Sequence, residues 1–402
     1  VSATPIRLTR IIARLNVGGP AIQAITLTAE LEAQGFQTRL VRGVEDPAEG
    51  NMDYLAAQLG VHPTKVPALR RNPGAGELQA LGALVRLLRR DQPQIVHTHA
   101  AKAGTLGRLA TLIAFPDRRR RPLLVHTYHG HSLTGYFSPA VASVYRAIEQ
   151  RLAVPTDVLV AVSDEVRDDL VGLGVADAAK FRVVPLGFDL SAFVEDHDRE
   201  YRRRQLREQW GVSPRDVLIT LVARLVPIKR VDRFLALACR LCERHPEVRF
   251  AIVGDGELRR QLERSTDALA LGDRLTWAGF RRDMADVYFA ADVVALTSDN
   301  EGTPVSLIEA QAAAVPVLAT DVGGVRSVVA DGVSGLLAAP DDSGALAAGA
   351  ARLLDSVRLR QRMGGAGRER ATASFTLDRL VADHVALYRE LLERRAAARR
   401  AR

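Results

Sequence analysis

"VVALTSDNEGTPVSLIEAQAAAVPVLATD" (residues 293–321) reads as strand, loop, helix and strand in quick succession. The β-branched run ends at Ser298 and Asp299 to Gly302 form a loop, with Thr303 as a suitable cap and Pro304 as a suitable first helical residue. The apolar run after the helix completes a parallel βαβ unit. Glu301 stands in the loop and Glu309 in the apolar helix, with seven residues between them. The amides of Thr303, Val305 and Ser306 at the helix start are suited to phosphate oxygens. A buried Glu309 needs hydroxyl donors, which the vicinal hydroxyls of a ribose would supply. The plainer reading makes Glu301 a helix-dipole acid and Glu309 part of a polar stripe.

The alternation extends in both directions. Upstream come "LTRIIARL", a helix over 20–34, "QTRLVRG", "QIVHTH", "PLLVHTYH" and "DVLVAVS", each strand followed by a helical stretch. A charged segment, "VEDHDREYRRRQLREQWGVSPRD", then reads as a connector with an entry helix, before "VLITLVARL", "RFAIVGDG" and "LTWAGF" resume the pattern. Two doubly wound α/β domains in series are predicted, a division that 402 residues also favour.

With 47% hydrophobic and 25% charged residues the composition is that of a folded globular chain. No run of apolar residues is long enough for a membrane span and no signal peptide is evident, so a cytoplasmic location is expected. Cys239 and Cys242 lack a second pair to complete a zinc site and read as small hydrophobes. A net charge of +8 suits an anionic partner, whereas 5% aromatic residues and the lack of a recognition motif argue against nucleic acid.

In such sheets ligands bind beyond the carboxyl ends of the strands. The first strand runs into "NVGGPA", where Gly18 and Gly19 precede a helix start. His97 and His99 share one face of a strand; His126, His129 and His131 follow at the next strand end. Hydrogen-bonded histidines near a cleft are the leading reading, zinc ligation the alternative, and His129 and His131 lie in a loop where a ring can face a ligand. Arg224 and Lys229 flank a proline turn after "VLITLVA", a pairing suited to a diphosphate. Lys229 is one of only four lysines among 55 basic residues, which singles it out. "VGDGELRRQL" begins like a dinucleotide fingerprint, but Arg259 occupies the third glycine position.

Together, "NVGGPA", "HTHAAKAGTLGRLA", "HTYHGHSLTGYFSP", "AVSDEVRDDL", "VVPLGFDL", "ARLVPIKR", "VGDGELRRQL", "GFRRDMADVYFAADVVALTS", "DNEGTPVSLIEA" and "ATDVGGVRSVVADGVSGLLAAP" resemble, in order and over nearly the whole chain, family 4 of the retaining glycosyltransferases. The resemblance implies the GT-B fold, two Rossmann-like domains facing across a cleft. Residues 1–190 would form the acceptor-binding domain, with helices over about 376–402 packing back on it, and 191–375 the nucleotide-sugar domain. It implies that Glu309 binds the donor ribose and that Glu301, with the backbone of Gly302, Thr303 and Pro304, holds the transferred sugar. Arg224 and Lys229 would bind the diphosphate, with the Gly18 and Gly19 loop closing over it. The backbone at Phe280, Arg281 and Arg282 would hold the base, the uracil of a UDP-sugar, and His129 would face the sugar. No metal or other cofactor is implied; Asp196 and Asp198, the only Asp-x-Asp, read as solvated charge. Ala223, Arg230 and Ala314 stand where the family commonly has glycine.

The expected activity is metal-independent, front-face transfer from a UDP-sugar to a glycan, a lipid-linked sugar or a small molecule. The subgroup most resembled builds surface polysaccharides. Arg86, Arg89, Arg90 and the "RRRR" at 118–121 suit a peripheral contact with an anionic membrane at the inner face of the cell membrane, or simply end a core helix. Lys102 is a candidate contact for a phosphorylated acceptor. A glycosidase using the two carboxylates, or a non-catalytic nucleotide-sugar binder, are the competing readings.

Overall fold

A computed structural model describes residues 4–45, 50–70, 76–130, 139–194 and 197–401; His131 and Asp196 lie outside them. The chain divides into two compact units, Val1–Gly187 with Leu377–Arg402, and Phe188–Thr376.

The first unit is a seven-stranded parallel sheet of β1 (Ile6–Ile12), β2 (Phe36–Arg42), β3 (Thr64–Lys65), β4 (Ile95–His99), β5 (Leu123–Tyr128), β6 (Val158–Ala161) and β7 (Phe181–Val183). Its strand order is β3-β2-β1-β4-β5-β6-β7, which puts the topological switch between β1 and β4. One face packs Ile11, Val96 and Leu124 against Leu84, Leu88 and Leu106 of two helices, Gly76–Asp91 and Ala101–Ala114. The other face carries Leu8, Ile95 and Leu123, covered by Leu27 of the helix Gly19–Ala33 and by Leu380 and Tyr388 of the helix Leu377–Arg400. Strands buried on both faces need apolar residues at nearly every position, and β4, β5 and β6 are buried throughout. No helix among the described residues is long and apolar enough to cross a membrane.

The second unit holds β8 (Val217–Val222), β9 (Val248–Val253), β10 (Leu275–Gly279), β11 (Val293–Leu296), β12 (Val317–Thr320) and β13 (Gly335–Ala338). They are all parallel, in the order β10-β9-β8-β11-β12-β13, and the switch lies between β8 and β11. The charged segment read as a connector is more than a linker. Its helix Arg199–Gln209 brings Arg203 and Arg207 within 2.7 and 2.9 Å of Asp292, whose carboxylate also accepts from the Leu218 amide at 2.8 Å. Buried Leu206 of the same helix joins Leu218, Ala251 and Val287 in a core cluster.

Candidate functional site

The switch point of the second sheet brings two strand exits side by side. After β8 the chain makes a short 3-10 turn, Pro227–Lys229, and Arg230 turns into the helix Val231–Cys242 with a left-handed φ of 45°. After β11 the loop is tied to that turn: the Asp299 amide donates to the Ile228 carbonyl at 2.9 Å and the Thr297 hydroxyl to the Arg230 carbonyl at 2.9 Å. Lys229 Nζ therefore reaches Glu301 Oε1 at 2.6 Å, and the Ser298 hydroxyl donates to the same oxygen at 2.6 Å. Both side chains are largely buried, so the pair is screened by little water. The Glu301 carbonyl accepts from the Gly324 amide at 3.0 Å, and a Cβ on Gly323 would lie 2.1 Å from that carbonyl oxygen. The loop is thus held at its side chain and at its backbone.

The helix start differs from the sequence expectation. The helix is Val305–Ala312 and Pro304 is its N-cap, with no capping side chain. Thr303 is not the cap; its hydroxyl is buried without a partner among the described residues. An uncapped start leaves first-turn amides, those of Val305 and Ser306, for an anion. One turn on, Glu309 is half-buried and its Oε2 accepts from the Tyr288 hydroxyl at 2.7 Å. It is not a residue of a solvated polar stripe. Burial pushes its carboxyl up to about 7, against the pull of the Tyr288 hydrogen bond. Burial, and then the facing carboxylate, raise the Tyr288 hydroxyl well above its ordinary value.

Arg224 lies exposed at the exit of β8. The two glycines of "VGDGELRRQL" pack against this exit: a Cβ on Gly254 would sit 1.9 Å from the Ala223 carbonyl oxygen, and one on Gly256 2.4 Å from that of Leu225. Close backbone packing accounts for this Gly-x-Gly. Beyond β10, Phe280 is 46% exposed and Arg282 is exposed, while Arg281 is ion-paired with Asp283 and lies over the Trp210 ring. The hydrogen bond from Arg281 holds the Asp283 carboxyl below the usual range.

In the first unit Gly18 caps the helix Gly19–Ala33 with a φ of 151°, a conformation that favours glycine, and its carbonyl accepts from the Ala21 and Ile22 amides at 3.2 Å. The histidines are engaged in hydrogen bonds. His97 spends both ring nitrogens, on Tyr388 at 2.6 Å and Thr127 at 2.7 Å. His126 Nδ1 meets the Thr98 hydroxyl at 2.9 Å. His99 Nδ1 and His129 Nε2 meet at 3.0 Å. Among the described residues, which exclude His131, no group of three His, Cys, Asp or Glu side chains is placed to hold a metal ion. Lys102 pairs with Glu77 at 2.6 Å.

The structure thus joins Lys229 to Glu301 and keeps Gly302, Thr303, Pro304 and Glu309 on the same loop and helix. Sequence reading missed Ser298 and Tyr288, the two hydroxyl groups that hold the carboxylates. Ser298 was visible as the polar last residue of a strand; Tyr288 lay hidden in an apolar helix.

Two family models match the chain. The one described as "Glycosyltransferase Family 4" covers residues 17–192 and the one described as "Glycosyl transferases group 1" covers 202–370, one in each unit. A D-inositol 3-phosphate glycosyltransferase of Xylanimonas cellulosilytica is 32% identical, over 95% of this chain and 94% of the relative. The UDP-Gal:alpha-D-GlcNAc-diphosphoundecaprenol alpha-1,3-galactosyltransferase of Escherichia coli is 32% identical, over 68% of this chain and 69% of its own length. Among solved structures, Anabaena HepE in complex with UDP and glucose matches in fold with a TM-score of 0.79 at 20% identity, over 95% of this chain and 99% of HepE. With both units matched and a relative aligned over 94% of its length, the chain belongs to glycosyltransferase family 4 and is a GT-B glycosyltransferase.

Proposed function

We propose that the chain transfers a hexose or N-acetylhexosamine from a UDP-sugar, with retention of anomeric configuration and without a metal. The observation that carries this reading is the Lys229–Glu301–Ser298 contact beside an uncapped helix start. Lys229 and the exposed Arg224 supply positive charge for a diphosphate, and the amides of Val305 and Ser306 take further phosphate oxygens. Glu301, with Gly302 to Pro304, holds the hydroxyls of the transferred sugar. Glu309 accepts from the ribose hydroxyls on the carboxylate whose other contact is Tyr288. The backbone at Phe280 to Arg282 receives the uracil, and Gly18 and Gly19 approach the diphosphate.

In the proposed front-face step the bond between the anomeric carbon and the diphosphate oxygen breaks, and its electron pair leaves with UDP. The acceptor oxygen bonds to the same face of the anomeric carbon and its proton passes to the leaving phosphate. Cations and helix amides stabilise the charge that develops on the leaving group, which is the work a divalent ion would otherwise do. His129 is the residue of the first unit assigned to contact the sugar, as a neutral ring: burial, with the Arg10 charge, pushes it down to about 3.

UDP as the carrier is supported by the donor named for the Escherichia coli relative. That relative is named for a lipid-linked acceptor and the Xylanimonas relative for an inositol phosphate, so glycan, lipid-linked and small soluble acceptors all fall within the proposal. A lipid-linked acceptor goes with a cytoplasmic protein peripheral to an anionic membrane. A panel of UDP-sugars screened by thermal stabilisation, then acceptors screened by product mass with the anomeric configuration read by NMR, tests the reading. Stabilisation by UDP-sugars without turnover on any acceptor class would favour a non-catalytic binder; an inverted product would sink the front-face step.

A further inference from the structure

We propose that Arg10 and Tyr388 are positioning residues for His129, acting through the stacked rings of His97 and His99. The proposal rests on the reading of His129 as a substrate contact.

All of these residues belong to the first unit. Parallel register sets Arg10 of β1 beside His97 of β4, and His99 beside Ile12 on one side and Thr127 of β5 on the other. Side chains in register in parallel strands share a face, and this is the face covered by the helix Leu377–Arg400. Tyr388 descends from that helix to His97 Nδ1 at 2.6 Å and receives Arg10 Nη2 at 3.4 Å.

Two hydroxyl groups hold the inner ring. A guanidinium only donates, so the Tyr388 oxygen accepts from Arg10, which leaves its own proton available for His97 Nδ1. In the tautomer this favours, His97 carries its proton on Nε2 and donates to the Thr127 hydroxyl at 2.7 Å. Both nitrogens are engaged, so the ring is held in orientation from both sides. His99 stacks on it at 4.4 Å between centroids and 26° between planes, and His129 stacks on His99 at 5.3 Å and 27°. The bond from His99 Nδ1 to His129 Nε2, 3.0 Å long, requires that one ring donate and the other accept. The outermost ring thus rests in a plane set by a stack whose inner ring is held by residues of β1, β5 and the last helix.

The charge pattern supports this arrangement. Arg10 is 0% exposed, and its Nε and Nη1 have no hydrogen-bond partner among the described residues. Its charge acts on His97 and His99 from β4, His129 from the loop after β5, and His384 and Tyr388 from the last helix. Its own value is influenced, among the described residues, by burial and by Tyr388. Burial and then the neighbouring positive charge lower His129 and His384 to about 3, so the stack is neutral at ordinary pH and its rings are free to share single protons.

The test uses the full chain labelled with 15N in histidine, followed in Tyr388→Phe and Arg10→Met beside wild type and His129→Ala. Tyr388→Phe removes one oxygen atom and keeps the ring. Its expected result is a change in the imidazole nitrogen shifts of His97, His99 and His129, a fall in kcat of about tenfold or more, and an unchanged Kd for UDP. Arg10→Met is expected to raise the pH at which His129 protonates. Nitrogen shifts of His129 that stay at their wild-type values in Tyr388→Phe would overturn the proposal, whatever the change in Tm. If His129→Ala keeps full activity, the assignment of His129 as a substrate contact fails instead, while the shifts still decide whether Tyr388 positions it.

Discussion

Lys229 Nζ and Glu301 Oε1 lie 2.6 Å apart although 72 positions separate them, because β8 and β11 are neighbours at the switch point of the second sheet. Without substrate the cation neutralises the carboxylate; in the proposed reading a diphosphate competes for that cation. Lys229→Met is therefore expected to weaken UDP binding by about tenfold or more. It also leaves Glu301 with Ser298 as a remaining donor, at a cost to stability on the order of 1–3 kcal/mol. Calorimetric titration with UDP and a thermal melt read the two effects separately.

The two carboxylates are expected to divide their work. Glu309→Gln should raise the Kd for donor with little change in kcat, whereas Glu301→Gln should also slow the chemical step. Equal effects of both variants on both quantities would contradict that division.

Glu309 gives a pH dependence of defined sign. Its carboxyl is raised from 4.5 to about 7 in the folded protein, so between these values the folded state holds a proton that the unfolded state has lost. Stability from this group is present at low pH and falls as pH rises through that interval. Glu309→Gln removes the slope: its Tm should exceed that of wild type at pH 8 and the gap should close towards pH 5. Binding of UDP follows the opposite course, strengthening as pH rises through about 7 in wild type and flat in the variant.

Ala314 adopts a φ of 55°, the left-handed region that an L side chain enters at a cost. Its carbonyl is the surface on which Gly364 packs, so the backbone there is fixed by its neighbours. Ala314→Gly is expected to stabilise the protein by about 1 kcal/mol, a rise in Tm of about 2–4 °C. Arg230, also left-handed at 45°, offsets the same cost through its bonds to Asp232 and Asp299, so glycine there should bring less gain. Ala223 has no positive φ and offers no such gain.

Gly323→Ala tests the backbone side of the Glu301 loop. The added Cβ would meet the Glu301 carbonyl at 2.1 Å on a residue with a φ of 49°. The expected result is a loss of UDP affinity together with about 2 kcal/mol or more of stability. Wild-type affinity in a well-folded variant would show that the loop can shift without consequence for binding.

The alternation of β-branched runs and helices was enough to read two parallel sheets, because strands buried on both faces must be apolar along their length. β3 and β7 escaped it, because two and three residues show no period, and β13 escaped it too, though it is as long as β6, β11 and β12. The scarcity of lysine drew attention to Lys229, but its contact with Glu301 depends on which strands are neighbours, and spacing along the chain does not encode that. Thr303 was misread as a cap because proline suits either the N-cap or the first helical position. The histidine faces of β4 followed from period two. Arg10 and Tyr388, which complete that cluster, come from opposite ends of the chain and carry no mutual signal.

The helix Leu377–Arg400 belongs to the first unit, although it follows the whole of the second in sequence. A ribosome therefore finishes every residue of the second unit before it delivers Leu380, Val385 and Tyr388 to the hydrophobic cluster of the first. Until then that face of the older sheet has the helix Gly19–Ala33 but lacks its second cover, and the apolar side chains meant for the last helix face the nascent-chain environment. The part of the chain made first is the part completed last, so during synthesis its open face is the natural target for chaperones and proteases.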